Sequence, residues 1–516
     1  MTTTELAQRI VCCPKRTAAA LPVLPLVKTS GRPTAGSSIR RLFILGMLLS
    51  TALLAQSPTQ TKPPVSAGEV DQTPAEPAPV APPAPVAAPA AAAVPAQIAS
   101  IAAIGTKFDK LDGICNTWNI GCPTAGDTID RDAGGFRTKL AKEHLGVIGL
   151  SQTTFGYNFS QPPHNPQVFN FQKPNWYQIT FLSSTYNVPS TKIQVVVAGV
   201  ITRANFSGLL GATVFRPLEA YVYQKFFDGR FSYIAGYTTN NNYMFGGDLA
   251  GSTASGSLGV NAVIPYEVGM SFTPFPAPSV ILKYTAKNGI YAIATVQRSL
   301  DPEGNVVGKQ RDRLGFRFDP HGDEALYIPE VGFKRAAAPN RKESWFRATG
   351  FYNQTGFTNY KTLQTATTGP KEHNNAISGV FEQQLTQPDQ SLPYRGIYVS
   401  ATAQHAAPDV TLFQQYYQVA FYSIGLVRKR PLDLIILNLN RAQFSRTVLN
   451  TYQKLPVTAQ TGIPTYDDST TVSGTYAYHV APGIALTTLV SYTRHPTFAP
   501  KLPNPVLGVV SLAFFF

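Results

Sequence analysis

The chain has 516 residues, a formal net charge of +14, 11% aromatic and only 14% charged residues. Typical soluble domains carry about 25% charged residues, so an ordinary soluble protein is a poor fit. The Lys and Arg are scattered rather than gathered in a stripe, which argues against nucleic-acid binding, and the balance of apolar and uncharged polar residues argues against a helical membrane protein.

The first 55 residues are an N-terminal extension ending in a secretory signal. Arg40 and Arg41 flank an apolar run from Leu42 to Leu54, and Ala55 is a small residue suited to cleavage. The run is shorter than the roughly 20 apolar residues of a membrane helix. Either the stretch before it is a long leader, or the true start lies downstream of Met1. Residues 56–99 hold eleven of the chain's 42 prolines and read as a disordered Pro/Ala-rich linker. A spacer reaching the cell wall is the sharper alternative. Residues 100–145 form an expected periplasmic segment with a short helix and a loop, "CNTWNIGC". There Cys115 and Cys122 are a candidate disulfide of an oxidising compartment. With no His in that loop, no metal is assigned, and no cofactor is expected.

From 146 to 516 the sequence alternates with period two in runs of about ten residues broken by Gly, Pro, Asn and Asp. In "GIYVSATAQH", Ile397, Val399, Ala401 and Ala403 share one face, and Tyr398, Ser400, Thr402 and Gln404 the other. "LEAYVYQKFFDGRFSYIAGY" reads as a hairpin turning at Asp228-Gly229. The stripes are apolar against uncharged polar, and aromatics recur near strand ends. Within a bilayer every backbone group must be paired, so strands survive there only in a closed barrel. We therefore expect an all-β fold, a transmembrane antiparallel barrel. The chain ends "VLGVVSLAFFF", with Phe516, Phe514 and Leu512 on one apolar face. This resembles the signal by which outer-membrane barrels are recognised and inserted.

One further stretch narrows the class. "RDAGGFRTKLAKEHLGVIG" resembles the opening of the carbohydrate-selective porin (OprB) family through Asp132, Gly134, Gly135, Arg137 and Leu140, with Ala133 standing where the family has tryptophan. "RPLEAYVYQKFFDGRFSYIAGY", "LYIPEVGFKR" and "WFRATGFYNQTGFTNY" resemble later strands of the same family; Ile234 stands where the family often has Arg. The resemblance spans roughly residues 130–516 and marks a divergent member. It implies a barrel of about 16 strands in the bacterial outer membrane, passing sugars or similar small polar solutes passively into the periplasm. The implied partners are the lipid bilayer, the barrel-assembly machinery and small sugars, with the chain a monomer or a homotrimer.

Such a pore needs no catalytic group. Its selectivity comes from diameter, lining hydrogen-bond groups and field. Sugar hydroxyls suit charged and amide side chains, and sugar C–H faces suit aromatic rings. Glu219, Tyr221, Tyr223 and Lys225 share one strand face and are lumen candidates, with Arg203, Arg230, Trp345 and Arg347 added. Residues 100–516 carry a net +10, which favours neutral or anionic solutes. The sequence has no H-E-x-x-H, G-x-S-x-G or phosphate-loop motif, so no enzyme is expected. Asp319, His321, Asp323 and Glu324 read as a polar loop rather than a calcium site. A general porin, or a non-conducting adhesin or hydrolase barrel, stays open as an alternative.

Overall fold

A computed structural model describes residues 111, 125–160, 175–204, 213–240, 263–273, 275–302, 311–312, 317–318, 322–365, 371–454, 466–496 and 504–516. The expected signal, the linker, Cys115, Cys122, Asp319 and His321 lie outside them. The alternating runs form sixteen strands: β1 (Leu145–Asn158), β2 (Asn175–Asn187), β3 (Ile193–Ala204), β4 (Thr213–Phe226), β5 (Phe231–Thr238), β6 (Ala277–Thr285), β7 (Ile290–Arg298) and β8 (Ala325–Arg335). The second half continues with β9 (Ser344–Thr358), β10 (Lys371–Gln384), β11 (Gly396–Ala406), β12 (Phe413–Ile424), β13 (Leu434–Phe444), β14 (Asp468–Ala481), β15 (Ile484–Arg494) and β16 (Val506–Phe515). Each pairs antiparallel with its sequence neighbours. The circle closes where β1 meets β16, with Thr154 opposite Ser511 and Leu150 opposite Phe515. No helix among the described residues is long and apolar enough to cross a membrane. Closure leaves no unpaired sheet edge, which is the condition for strands to lie in lipid.

Side chains alternate across this wall as the sequence alternates. On β6, Val280, Leu282 and Tyr284 are exposed on the outer face, while Ser279, Ile281 and Lys283 turn inward. On β12, Tyr417, Val419 and Phe421 are outside, and Tyr416, Ala420 and Tyr422 inside. The connections β4–β5, β6–β7 and β14–β15 on the rim that holds both ends of the barrel are short, and those on the opposite rim run longer. Outer-membrane barrels place short turns toward the periplasm. Outward aromatics collect near the short-turn rim, where the Phe226 ring lies 5.9 Å from Phe231 and 6.0 Å from Tyr233. Such rings suit the membrane–water boundary. Tyr221 and Tyr223, two of the residues in this aromatic-rich stretch, instead face inward and are buried.

Before β1 a short helix, α1 (Phe136–Lys142), packs on the start of the barrel. Asp132, Gly134 and Gly135 all take positive φ in the turn leading to it. The Asp132 carboxylate accepts from the Thr138 N–H at 3.0 Å and from the Thr138 hydroxyl at 2.6 Å. Arg137 donates to both oxygens of Asp130 at 3.0 and 3.1 Å, and to the Val147 carbonyl of β1 at 2.8 Å. Asp127 meets the His479 ring at 2.8 Å and accepts from the Gly483 N–H at 3.0 Å, tying the segment to the β14–β15 turn. Arg137, Asp130 and Asp127 thus work as a rivet between this segment and the barrel. Arg137→Ala removes a bidentate charged contact that is largely shielded from solvent, at a cost of about 2 kcal/mol. The expected result is a drop of a few degrees in the temperature at which the folded band converts on gels, with conductance unchanged. A changed conductance would place this segment in the permeation path instead.

Candidate pore lining and constriction

The long connection between β5 and β6 returns through a second short helix, α2 (Val263–Glu267), which sits inside the mouth of the barrel on the long-loop side. Ile264, Val268 and Met270 are fully buried there and pack in a cluster that includes Leu326 and Ile328 of β8, Phe351 of β9 and Tyr416 of β12. Amide side chains at the inner ends of the strands hold the backbone of this segment. Asn353 donates to the Val268 carbonyl at 2.7 Å, Asn374 to the Glu267 carbonyl at 3.3 Å, and Gln297 to the Gly269 carbonyl at 3.2 Å. The Glu267 side chain crosses to the far wall, where its Oε2 accepts from the Phe413 N–H at 3.0 Å. Burial is the larger influence on this carboxyl and raises its pKa. N–H groups of Phe413 and Leu412 pull it down, and the pKa settles at about 8.

Gly269 is the pivot of the return. Its φ is +88°, and an added Cβ would lie 2.3 Å from the Ser299 hydroxyl oxygen and 2.7 Å from the Asn353 amide nitrogen. No other residue fits both that backbone and that space. A third helix, α3 (Arg446–Lys454), lies in the β13–β14 connection and buries Val448, Leu449 and Tyr452 in the same cluster. The mouth is therefore narrowed by chain that folds inward, held by strand-borne amides.

Below this constriction the inner wall divides by chemistry. The inward positions of β4–β10 carry Arg216 toward the long-loop rim, its guanidinium 5.0 Å from the Phe275 ring, and below it Glu219, Lys225, Lys283, Glu330, Lys334, Arg347 and Glu382. Those of β11–β16 and β1–β3 carry no Asp, Glu, Lys or Arg among the described residues and mix Ser, Thr, Asn and Gln with apolar groups such as Tyr398, Tyr422, Ile436, Phe181 and Val200. Neighbouring hydroxyls and amides there bond to each other: Thr154 meets Ser511 at 2.9 Å, and Gln418 donates to Asn438 at 2.8 Å. On the charged wall, cations lie on rings. Lys225 Nζ is 5.6 Å from the Tyr223 centroid, Lys283 Nζ 5.4 Å from Tyr291, and Lys334 Nζ 3.9 Å from Trp345, which also carries the Arg347 guanidinium at 4.7 Å. The rings are themselves fixed, since Trp345 Nε1 donates to the Tyr291 hydroxyl at 2.9 Å and that hydroxyl donates to Glu330 at 3.0 Å.

Six of the eight residues singled out from the sequence lie on this inner wall: Glu219, Tyr221, Tyr223, Lys225, Trp345 and Arg347. Two do not. Arg203 is exposed on the outer parity of β3, because its neighbour Thr202 takes the inward position. Arg230 is exposed in the β4–β5 turn at the rim. Glu219 and Tyr221 are buried at 0% and 3% exposure, with the Thr239 hydroxyl donating to Glu219 at 3.2 Å. A bulge at Leu218 sets their parity, since Pro217 pairs with Gly199 while Glu219 pairs with Ala198. Lys283, Glu330, Lys334 and Glu382 were not singled out, although each stands at the same parity as an inward neighbour on its own strand. Phe514 and Leu512 share the outward side of β16 with the exposed Val510.

A family model described as "Carbohydrate-selective porin, OprB family" matches residues 189–514 of the chain. Among solved structures, the high-pH structure of Pseudomonas putida OprB matches with a TM-score of 0.62 at 15% identity, covering 75% of this chain and 97% of that one. The low-pH structure of the same protein gives 0.47 at 11% identity, over 76% and 98% of the two chains. The outer-membrane channel DcaP of Acinetobacter baumannii gives 0.45 at 10% identity, over 72% and 97%. No curated protein matches the sequence. At 15% identity the first likeness shows a shared fold.

Proposed function

Because the chain belongs to the carbohydrate-selective porin (OprB) family, a class of passive outer-membrane channels, we propose that sugars cross it between the inward-folded β5–β6 connection and the charged wall of β4–β10. The observation that supports this reading is the pairing of that wall with a neutral one. Cations mounted on aromatic rings offer donors to sugar hydroxyls, and the Ser, Thr, Asn and Gln side chains of the face opposite offer both donors and acceptors. A solute that gives up water on both sides regains hydrogen bonds on both. Lys225, Lys283 and Lys334 are the lining groups we assign to this contact, with Trp345 holding two of the neighbouring cations in place. We further propose that the N-terminal leader directs export, that the barrel-assembly machinery reads the strand ending in Phe516, and that the spacer of residues 56–99 stays on the periplasmic side.

Single-channel conductance in a planar bilayer, with mono- and disaccharides titrated in, tests the reading. Discrete open steps with saturable sugar block are the expected result. Steps that no sugar blocks would make this a general pore. Silence from well-folded protein would remove the channel and bring forward a plugged adhesin-like barrel.

A further inference from the structure

The three carboxylates of the charged wall are sunk into it. Glu219, Glu330 and Glu382 are 0%, 2% and 1% exposed. Glu330 accepts from the Tyr291 hydroxyl at 3.0 Å and from the Thr349 hydroxyl at 2.9 Å, so its oxygens are turned to the wall's own donors. Lys225, Lys283 and Lys334 stand differently, half-buried, on alternate strands β4, β6 and β8. Register sets them side by side: Lys225 is opposite Ser232, and Ser232 is opposite Lys283, which places those two backbones about 10 Å apart. Lys283 lies within electrostatic reach of both Lys225 and Lys334, as well as of Glu330. On this wall five cations stand against three acids; the acids, Arg216 and Arg347 are buried, and the three lysines are the half-buried groups.

Resting on the pore reading above, we propose that the preferred permeants are sugar acids, solutes bearing a carboxylate on a sugar ring or chain, and that Lys225, Lys283 and Lys334 form the anion-binding rung. A carboxylate can meet two neighbouring ammonium groups while the hydroxyls of the same solute bond to the neutral wall. In a narrow lumen with low-dielectric walls, the field of such a rung is concentrated rather than dispersed. A neutral sugar gains only the hydroxyl contacts. Glucuronate and glucose differ only at carbon 6, so they isolate the charge.

The experiment compares block of single channels by D-glucuronate and by D-glucose in 0.1 M and 1 M KCl, together with the reversal potential in a KCl gradient. One added charge at this range is worth about tenfold in half-blocking concentration at the lower salt, and less at the higher salt. We expect glucuronate to block at about tenfold lower concentration than glucose, the gap to shrink in 1 M KCl, and the reversal potential to favour anions. The double variant Lys225→Gln/Lys283→Gln should weaken block by both solutes, glucuronate several-fold more than glucose, and so close most of the gap. If that variant does not fold, Lys225→Gln alone and the salt series on the unaltered protein decide. Equal or weaker block by glucuronate, a gap indifferent to salt, or a cation-favouring reversal potential would overturn the proposal while leaving a sugar pore standing. Absence of conductance would sink the pore reading itself and this proposal with it.

Discussion

Replacing Glu267 with alanine is expected to unseat the inward-folded segment and raise the time spent in a wider conducting state by about tenfold or more. The reasoning is local. Oε2 of Glu267 is the acceptor for the Phe413 N–H at the head of β12, on the side of the barrel away from β5 and β6. Alanine leaves that N–H without its acceptor, and a buried donor left unsatisfied costs about 1–3 kcal/mol, or up to about a hundredfold in the ratio of seated to unseated forms. The amides of Asn353, Asn374 and Gln297 still hold the backbone, so the segment loosens rather than leaves.

The same residue gives the seat a pH dependence whose sign is fixed. In the seated form the carboxyl has a pKa of about 8 against an ordinary 4.5, burial being the larger cause. The seated form therefore holds its proton more tightly than the unseated one. The stability this contributes is fully present below pH 4.5, declines as the pH rises, and is lost as it passes through about 8. Recordings between pH 5 and 9 should show wide openings growing more frequent on the alkaline side. Glu267→Gln keeps an acceptor for Phe413 and cannot ionise, so its openings should be rare and flat across that range. A Gln variant that retained the full pH response would show that another group does the titrating.

The strands were legible because lipid imposes a strict period of two. Residues such as Val419 and Phe421 face a solvent that accepts only apolar side chains, and Gln418 and Ala420 between them face the lumen. Hairpin turns announced themselves through Asp228-Gly229 for the same local reason. The parity of the charged wall was also legible on β4 and β9, where Lys225, Trp345 and Arg347 alternate with outward residues. Arg203 was misplaced because a cation near a strand end satisfies either face: beyond the lipid it can point outward into water. Its parity follows only once Thr202 is seen to face inward.

The constriction was not legible. Its apolar residues Ile264, Val268 and Met270 sit in a Gly- and Ser-rich connection, and their partners are distant in sequence; Glu267 and Phe413 are 146 residues apart. Nothing in the local pattern of the connection says that it folds inward rather than outward. The hint was indirect. Gln297, Asn353 and Asn374 are amides at inward positions near the long-loop ends of β7, β9 and β10, and buried amides require partners. In the neutral half of the lumen, pairs such as Thr154–Ser511 and Gln418–Asn438 bond across strands instead.

Gly149→Val is expected to reduce the yield of folded barrel by tenfold or more, through the last residue of the chain. Gly149 and Phe516 exchange backbone hydrogen bonds just beyond the register that closes β1 on β16. The Phe516 ring lies over the glycine so closely that an added Cβ would sit 2.2 Å from a ring carbon. The final aromatic is therefore packed on its own barrel at the seam, and the seam is the one junction that closes the circle, joining the first strand to the last. A branched side chain at 149 expels the ring and strains the closing pair together. Phe516→Ala removes the ring contact alone and should cost less, about 2 kcal/mol for a half-buried aromatic. The pair should be non-additive: Gly149→Ala, harmful with the ring present, should be nearly neutral in a Phe516→Ala background, since the methyl then occupies vacated space. Refolding yield into detergent or lipid vesicles measures this packing without any assembly machinery. If Phe516→Ala refolds as well as the unaltered chain in vitro but fails to reach the outer membrane in cells, the residue acts as an assembly signal. If the defect appears in both, packing at the seam accounts for it.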